Sequence, residues 1–396
     1  MGGPTTLAEV TEILAGANAE RRTVELRGGG SKSEVGRREA TDILLDLTGF
    51  SAVTNYDPPE LVLMAGAGAR LTEVEALLAA SGQMLAFEPP DYGPLLGQHA
   101  GQATLGGTLN ANASGPRRVS AGAARDHFLG FDGVSGRGVA FKAGGPVVKN
   151  VTGFDLPKLV AGSWGTLVAL TAVTVKVLPR PPVEATLVIV GLSARDAAYA
   201  MSRALGSSAS VSGAAHLPAD VAARAPVDTI ATAGGAVTAL RLEGVGPSID
   251  ARIAALRRLL DDLDIEVVGS EASPVLWRYL RDVGPFVGDQ TPLWRISAPP
   301  SDGWRAVEGL DGRAFYDWAG GLIWFASAEA GPAQVRAAAQ RAGGHAMLFR
   351  APAEMRATTP TLDPRAPALA ALTARVKTAF DPNGVLSPSR FAATGV

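Results

Sequence analysis

Leu7, Val10, Ile13 and Leu14 recur at helical spacing behind Thr6, with Glu9 three residues on, the two partners of a capping box. Apolar runs at 23–27, 43–48 and 61–65 read as short strands separated by loops. Leu71, Val74, Leu77 and Leu78 then predict a second helix, capped by Thr72 and Glu75 and stopped by Gly82. From Gly93 to Gly145 large apolar residues thin out in favour of Gly, Ala, Ser and Asn. A packed core does not explain that stretch; small residues suit a loop-rich chain wrapped closely around something. Regular patterning returns with a short helix in 151–162, Pro157 in its first turn, and a strand over 166–178.

Pro179, Pro181 and Pro182 cannot continue a helix or a central strand, so a boundary is expected there. Beyond it the chain alternates: strand at 183–192, helix at 194–205, strand at 236–245, helix at 248–261, strand at 265–269. The same unit returns as strand 321–328, helix 332–341 and strand 345–351. Such alternation predicts a sheet backed by helices. The partition is 1–180, 181–365 and a C-terminal helix and tail, 366–396, returning to the first domain. That last helix is expected to bury Leu369, Leu372, Val376 and Phe380 on one face, ending at the turn signal Asp381-Pro382-Asn383-Gly384.

Composition narrows the function classes. The chain has 396 residues, 47% hydrophobic and 19% charged, enough for a large core. A net charge of −2 without basic runs argues against nucleic-acid binding. The absence of cysteine removes thiolate catalysis, disulfides and cysteine-ligated iron–sulfur clusters from this chain. The N-terminal stretch lacks the basic start and apolar centre of a signal peptide, and GTLVALTAVTVKVLP, rich in β-branched residues and carrying Lys176, reads as strand rather than membrane span.

Candidate chemistry begins at LRGGGSK, residues 26–32, where Gly28, Gly29 and Gly30 lie between Arg27 and Lys32. Bare backbone between cations suits an anion held on main-chain N–H groups; a flexible surface turn is the alternative. Walker A and Rossmann patterns are both missing, which leaves a loop between strands as the cradle. In TLGGTLNANASGPRR, Thr104, Thr108, Asn110 and Ser114 supply hydroxyl and amide partners, while Gly106, Gly107 and Gly115 permit close approach. ARDHFLG (124–130) and KNVTGFDLPKLVAGSWGT (149–166) follow. Each segment alone reads equally as an ordinary turn or helix end; their joint order does not.

That series, with GPRRVSAGAARDHFLG, VVKNVTGFDLPKLVAGSWGTL and the ending FDPNGVLSPSRF, resembles flavoproteins of the vanillyl-alcohol oxidase type with a PCMH-type FAD-binding domain. Within that group it is most similar to the FAD-binding subunit of bacterial glycolate oxidase (glycolate dehydrogenase). The resemblance spans most of the chain and is weakest from about 183 to 310. It implies an α+β protein: a two-subdomain FAD-binding domain, then an α+β domain with an antiparallel sheet backed by helices. It implies FAD, with Gly28, Gly29, Gly30 and Ser31 at the pyrophosphate. Thr104, Gly106, Gly107, Thr108 and Ser114 would line the stretch towards the isoalloxazine; Gly162, Ser163, Gly165 and Thr166 would contact the adenosine half. Asn110 and Gly115 belong to the same cradle. Arg27 and Lys32 either balance an anion or are solvated strand ends. Arg125 either supports the loop with Asp126 or forms a plain ion pair, and Lys149 and Asn150 either face the flavin edge or end a strand.

No catalytic set is identifiable. His99, His127, His216 and His345 are scattered, so no metal site is expected. His345 and Arg350 are the one tempting pair, yet an offset of five places them on opposite strand faces unless a bulge intervenes. The resemblance implies a larger FAD-containing sister subunit that oxidises a small 2-hydroxy acid, glycolate, to glyoxylate. It also implies an iron–sulfur subunit carrying electrons away, in the cytoplasm and at the membrane only peripherally through partners. A self-sufficient 2-hydroxy-acid dehydrogenase and a non-catalytic flavin-fold scaffold are the rivals.

Overall fold

The computed structural model describes residues 3–38, 40–145 and 153–391. Lys149 and Asn150 lie outside the described residues. The chain divides into two compact units: residues 1–114, 122–180 and 364–396 form the first, 115–121 and 181–363 the second.

The strands of the first unit are β1 (Val24–Arg27), β2 (Ile43–Asp46), β3 (Val53–Asp57), β4 (Val62–Gly66), β5 (Gln83–Met84), β6 (Phe128–Ser135), β7 (Ala140–Gly144), β8 (Val168–Lys176) and β9 (Leu178–Pro179). β1 and β2 pair in parallel, Val24 opposite Ile43 and Arg27 opposite Asp46, with the glycine loop between them. The five-stranded sheet runs β3-β4-β8-β6-β7, all antiparallel. β8, with its β-branched run, is central and buried nearly throughout, as expected of a strand packed on both faces. Helix α1 (Leu7–Glu20) starts at the Thr6–Glu9 capping box and buries Val10, Leu14 and Ala17 against β1, β2 and β6 residues. Helix α2 (Leu71–Ala80) begins one residue before Thr72, with Arg70 in the N-cap position and no side-chain cap, so the Thr72–Glu75 expectation fails. Its first amides are met instead by the main chain: Leu71 N donates to the Ala103 carbonyl at 3.0 Å.

The stretch expected to be loop-rich is more regular than its composition suggests. Helix α3 (Leu105–Ala111) forms across Gly106 and Gly107 because Thr104 Oγ1 accepts from Gly107 N and Leu105 and Leu109 are fully buried. Gly106 is used for closeness: a Cβ there would lie 2.6 Å from Ala67 Cβ. Phe128–Ser135 is an eight-residue strand, folded onto β7 through the Gly136–Gly138 turn.

In the second unit, strands β10 (Val183–Val190), β11 (Gly213–Leu217), β12 (Val237–Gly244), β13 (Ile265–Val268), β14 (Leu293–Ser297), β15 (Arg313–Asp317), β16 (Leu322–Ala326) and β17 (His345–Arg350) make one antiparallel sheet. Its order is β13-β10-β12-β11-β15-β16-β14-β17. Helices 194–205, 246–259 and 332–341 cover it through two apolar clusters. Residues 115–121 are held here by their own contacts. Arg117 makes a bidentate ion pair with Glu243, Trp318 Nε1 donates to the Gly115 carbonyl at 3.0 Å, and Arg118 stacks 4.3 Å from the Trp318 ring. Burial alone would raise the Glu243 carboxyl; the Arg117 bonds and the Arg241 charge more than offset it and hold it below the usual carboxylate range. Arg117→Ala should therefore destabilise this unit by about 2–4 kcal/mol, since it strips the direct partner from a buried carboxylate. Urea unfolding followed by tryptophan fluorescence measures this, and an unchanged midpoint would contradict the account.

The C-terminal helix, Pro367–Phe380, corrects another expectation. Leu369 and Leu372 are about half exposed, at 51% and 52%, while Val376 and Phe380 pack on the first unit's core. Only its last turns bury apolar surface. Its end is polar: Asp381 accepts from Val385 N and Leu386 N, both at 2.8 Å, and Lys377 Nζ donates to the Leu386 and Thr166 carbonyls.

Candidate functional site

Two adjoining cavities in the first unit share Glu25, Arg27, Gly28, Gly29, Gly30, Ser33 and Arg390. The first continues over Ser31, Lys32, Leu47, Ala67, Thr104, Gly106, Gly107, Asn110, Trp164, Gly165 and Leu170. The second is arginine-rich, adding Arg37, Arg38 and Arg70 to Glu34, Asp46, Thr48, Gln98 and Ser387.

The loop after β1 has the main-chain property that an anion site requires. Among the described residues, the amide N–H groups of Gly28, Gly29, Gly30, Ser31 and Lys32 donate to no protein acceptor. The residues are half-buried or buried, so those donors call for an outside partner. Gly29 is wedged: a Cβ would fall 1.5 Å from the Gln102 carbonyl oxygen and 2.4 Å from Arg70 Nη1. Gly30 takes φ +76°, a conformation that glycine adopts freely, and faces open space.

The two cations differ. Arg27 is partly exposed and pairs with Glu25 at 3.2 Å, two residues back on the same strand face. Lys32 is buried, and among the described residues its ammonium makes a single hydrogen bond, to Ser31 Oγ at 3.2 Å. Burial pushes Lys32 down to about 8; Asp91 draws it up and Arg390 pushes it down further. It is therefore no solvated strand end. Among the described residues this buried ammonium has no ion pair, and with the row of unmet amides beside it the loop calls for an anionic partner.

The opposite wall works differently from that loop. The Gly106 and Gly107 amides are already taken, by the Ala67 carbonyl at 2.8 Å and by Thr104 Oγ1. These glycines provide a bare close surface, not donors. Asn110 ties α3 to the GSWG turn: its carbonyl accepts from Trp164 N at 2.8 Å and its Oδ1 from Ser163 Oγ at 3.4 Å. Gly162, Trp164 and Gly165 all have positive φ in that turn.

Other sequence candidates lie outside the two linings. Thr108 Oγ1 is fully buried and without a hydrogen-bond partner among the described residues. Ser114 Oγ accepts from Ala124 N at 2.9 Å, and Thr166 Oγ1 donates to the Ser163 carbonyl at 2.7 Å, both holding turns. Arg125 is exposed, 3.6 Å from Asp126, and Gly115 belongs to the second unit. The sequence reading missed Arg70, Trp164 and Arg390. Arg70 sits at an unremarkable helix start, and the only trace of Arg390 is the motif SPSRF.

The tempting pair in the second unit dissolves. Arg350 Nη1 and Nη2 donate to the Phe286 and Thr291 carbonyls at 2.8 and 3.1 Å, while His345 is exposed. A bulge does intervene between the two, where Leu293 pairs with Arg350 and Trp294 with Leu348, so what separates the pair is the engaged guanidinium and the exposed histidine rather than strand parity. His216 is buried beside Thr238 Oγ1 at 2.9 Å and is pushed down to about 4 by burial, a neutral core histidine.

A family model described as "FAD binding domain" matches residues 3–144, the span that contains the unmet amides. The glycolate oxidase subunit GlcE of Escherichia coli is 33% identical over 378 residues, 95% of both chains. This chain belongs to the FAD-binding subunit family of bacterial glycolate oxidase. FAD is its cofactor. A D-lactate dehydrogenase of Archaeoglobus fulgidus is 32% identical over 45% of this chain and 38% of its own length. The fold is of the PCMH type: p-cresol methylhydroxylase with substrate bound superposes with a TM-score of 0.70 over 98% of this chain and 87% of that one, at 16% identity.

Proposed function

We propose that this chain is the FAD-binding redox subunit of a glycolate-oxidising complex and that the FAD diphosphate lies along Gly28–Lys32. The observation that carries this reading is the row of unmet amides closing on the buried Lys32 ammonium. Bound FAD supplies the ring that accepts a hydride from a 2-hydroxy acid. The chain's own residues orient and enclose it: loop amides and Lys32 hold negative charge, Gly106, Gly107 and Ala67 give a close wall, and Leu26, Leu47 and Leu170 keep water out.

No cysteine is present to ligate a cluster, so an iron–sulfur acceptor for these electrons belongs to another chain. A larger flavoprotein subunit and an iron–sulfur subunit are the proposed partners, at the cytoplasmic face of the membrane. Among the described residues no helix is long and apolar enough to cross a bilayer, and no three His, Asp or Glu side chains converge as a metal site. The self-sufficient reading loses support, since Arg350 is spent on two carbonyls.

The experiment is affinity purification of the tagged chain from cells given riboflavin. Flavin absorption in the chain, together with a copurifying flavoprotein and an iron–sulfur protein, is the expected result. A chain that bleaches with glycolate on its own would favour the self-sufficient enzyme, and one with no flavin would end both redox readings.

A further inference from the structure

The cradle loop is tied down from the far end of the chain. Val24 N donates to the Val385 carbonyl at 2.7 Å, Ser387 N donates to the Val24 carbonyl at 3.1 Å, and Leu386 forms a parallel bridge to Val24. Arg390 then reaches across the loop. Its Nη2 donates to the Lys32 carbonyl at 2.8 Å and its Nε to the Val35 carbonyl at 3.2 Å; its own carbonyl accepts from Arg37 N at 3.1 Å. Its guanidinium stands 5.7 Å from the Trp164 ring, and both residues line the first cavity. Gly36 lets the tail come this near, since a Cβ there would meet the Arg390 carbonyl at 2.8 Å.

These ties determine how the loop presents its amides. A peptide plane sends its C=O and the following N–H in opposite directions. With the Lys32 carbonyl held by Arg390, Ser33 N turns inward and closes on the Gly30 carbonyl at 3.1 Å. That in turn faces the Ser31 N–H away from the turn, which leaves it among the unmet donors. We propose that residues 385–391 are a latch on the cofactor loop and that Arg390 is a positioning residue for the diphosphate. The proposal rests on the FAD reading above. The described residues between 28 and 42 belong to no strand ladder, so preorganisation must come from outside. The latch supplies it, and the Arg390 charge adds to the positive field at Lys32.

The test uses the full chain, stripped of flavin, with FAD and riboflavin as probes and Arg390→Ala and Arg390→Lys as variants. Losing two charge-assisted hydrogen bonds should weaken FAD binding by about 10–100-fold. Riboflavin, which has no phosphate, should bind as to wild type, and the flavin-free melting point should stay close to wild type. Arg390→Lys should recover only part of the loss, because an ammonium cannot span both carbonyls as a planar fork does. Unchanged FAD affinity in Arg390→Ala would overturn the latch, as would equal losses for FAD and riboflavin. If Arg390→Ala does not fold, Arg390→Lys decides alone: wild-type FAD affinity overturns the proposal and a selective loss supports it. Wild-type chain that binds riboflavin but not FAD would overturn the diphosphate reading and, with it, the latch.

Discussion

Gly29→Ala is expected to give a folded chain that purifies almost free of flavin. The new methyl carbon would sit 1.5 Å from the Gln102 carbonyl oxygen and 2.7 Å from its carbon, contacts that no real Cβ makes. Arg70 can swing aside, but the Gln102 segment cannot follow easily. Its neighbours are fixed on either side, with Gly101 N bonded to Asp91 Oδ2 and Leu71 N bonded to the Ala103 carbonyl. The glycine loop must therefore move instead, by about an ångström or more, and its unmet amides shift away from the diphosphate proposed for them. Gly30→Ala is the control: it meets nothing within 4 Å but occupies φ +76°, so it should cost about 1 kcal/mol of backbone strain and keep most of the flavin. Flavin-to-protein absorbance ratios read the cofactor. Tryptophan near-ultraviolet dichroism reads the second unit, which holds every tryptophan except Trp164. Wild-type flavin content in Gly29→Ala would remove the diphosphate from this loop.

Where local chemistry and tertiary packing agree, the fold is legible in the sequence. The Thr6–Glu9 capping box starts α1, and the β-branched run at 168–176 becomes the central strand. Elsewhere tertiary contact overrides local preference. Gly106 and Gly107 read as loop, yet a threonine cap and the burial of Leu105 and Leu109 make them helical. β3 escapes notice because it is an exposed edge strand with one half-buried residue, Tyr56, and so carries no apolar alternation. Leu369 and Leu372 show helical spacing, but spacing alone does not say whether a face is covered. The site divides in the same way. The glycines of the cradle are visible because bare backbone is a chemical signal in itself. Arg70, Trp164 and Arg390 arrive at the cavity from three distant segments; Trp164 and Arg390 stand inside quoted motifs, but nothing local marks any of the three as lining a cavity.

Lys32→Met should stabilise the flavin-free chain and weaken FAD binding at the same time, an opposition that a merely structural lysine would not produce. In the free protein the ammonium is buried, with Ser31 Oγ as its only hydrogen-bond partner among the described residues, and its pKa falls from 10.5 to about 8. At neutral pH it is still charged, so the folded chain carries a cost on the order of 3 kcal/mol that the unfolded chain does not. Methionine has a similar length without the charge and removes that cost. The pH dependence has a fixed sign. Between about pH 8 and 10.5 the unfolded chain holds more protons at this site than the folded one, so flavin-free stability rises with pH across that window. FAD binding runs the other way: a phosphate beside Lys32 favours the charged form, so binding takes up a proton above pH 8 and weakens as pH climbs. Asp91 and Arg390 act on the same ammonium, the first drawing its pKa up and the second pushing it down. Melting curves and FAD titrations of wild type and Lys32→Met from pH 7 to 10 separate the two trends. A variant that melts lower than wild type without flavin, and binds FAD equally well, would show that the ammonium faces no phosphate.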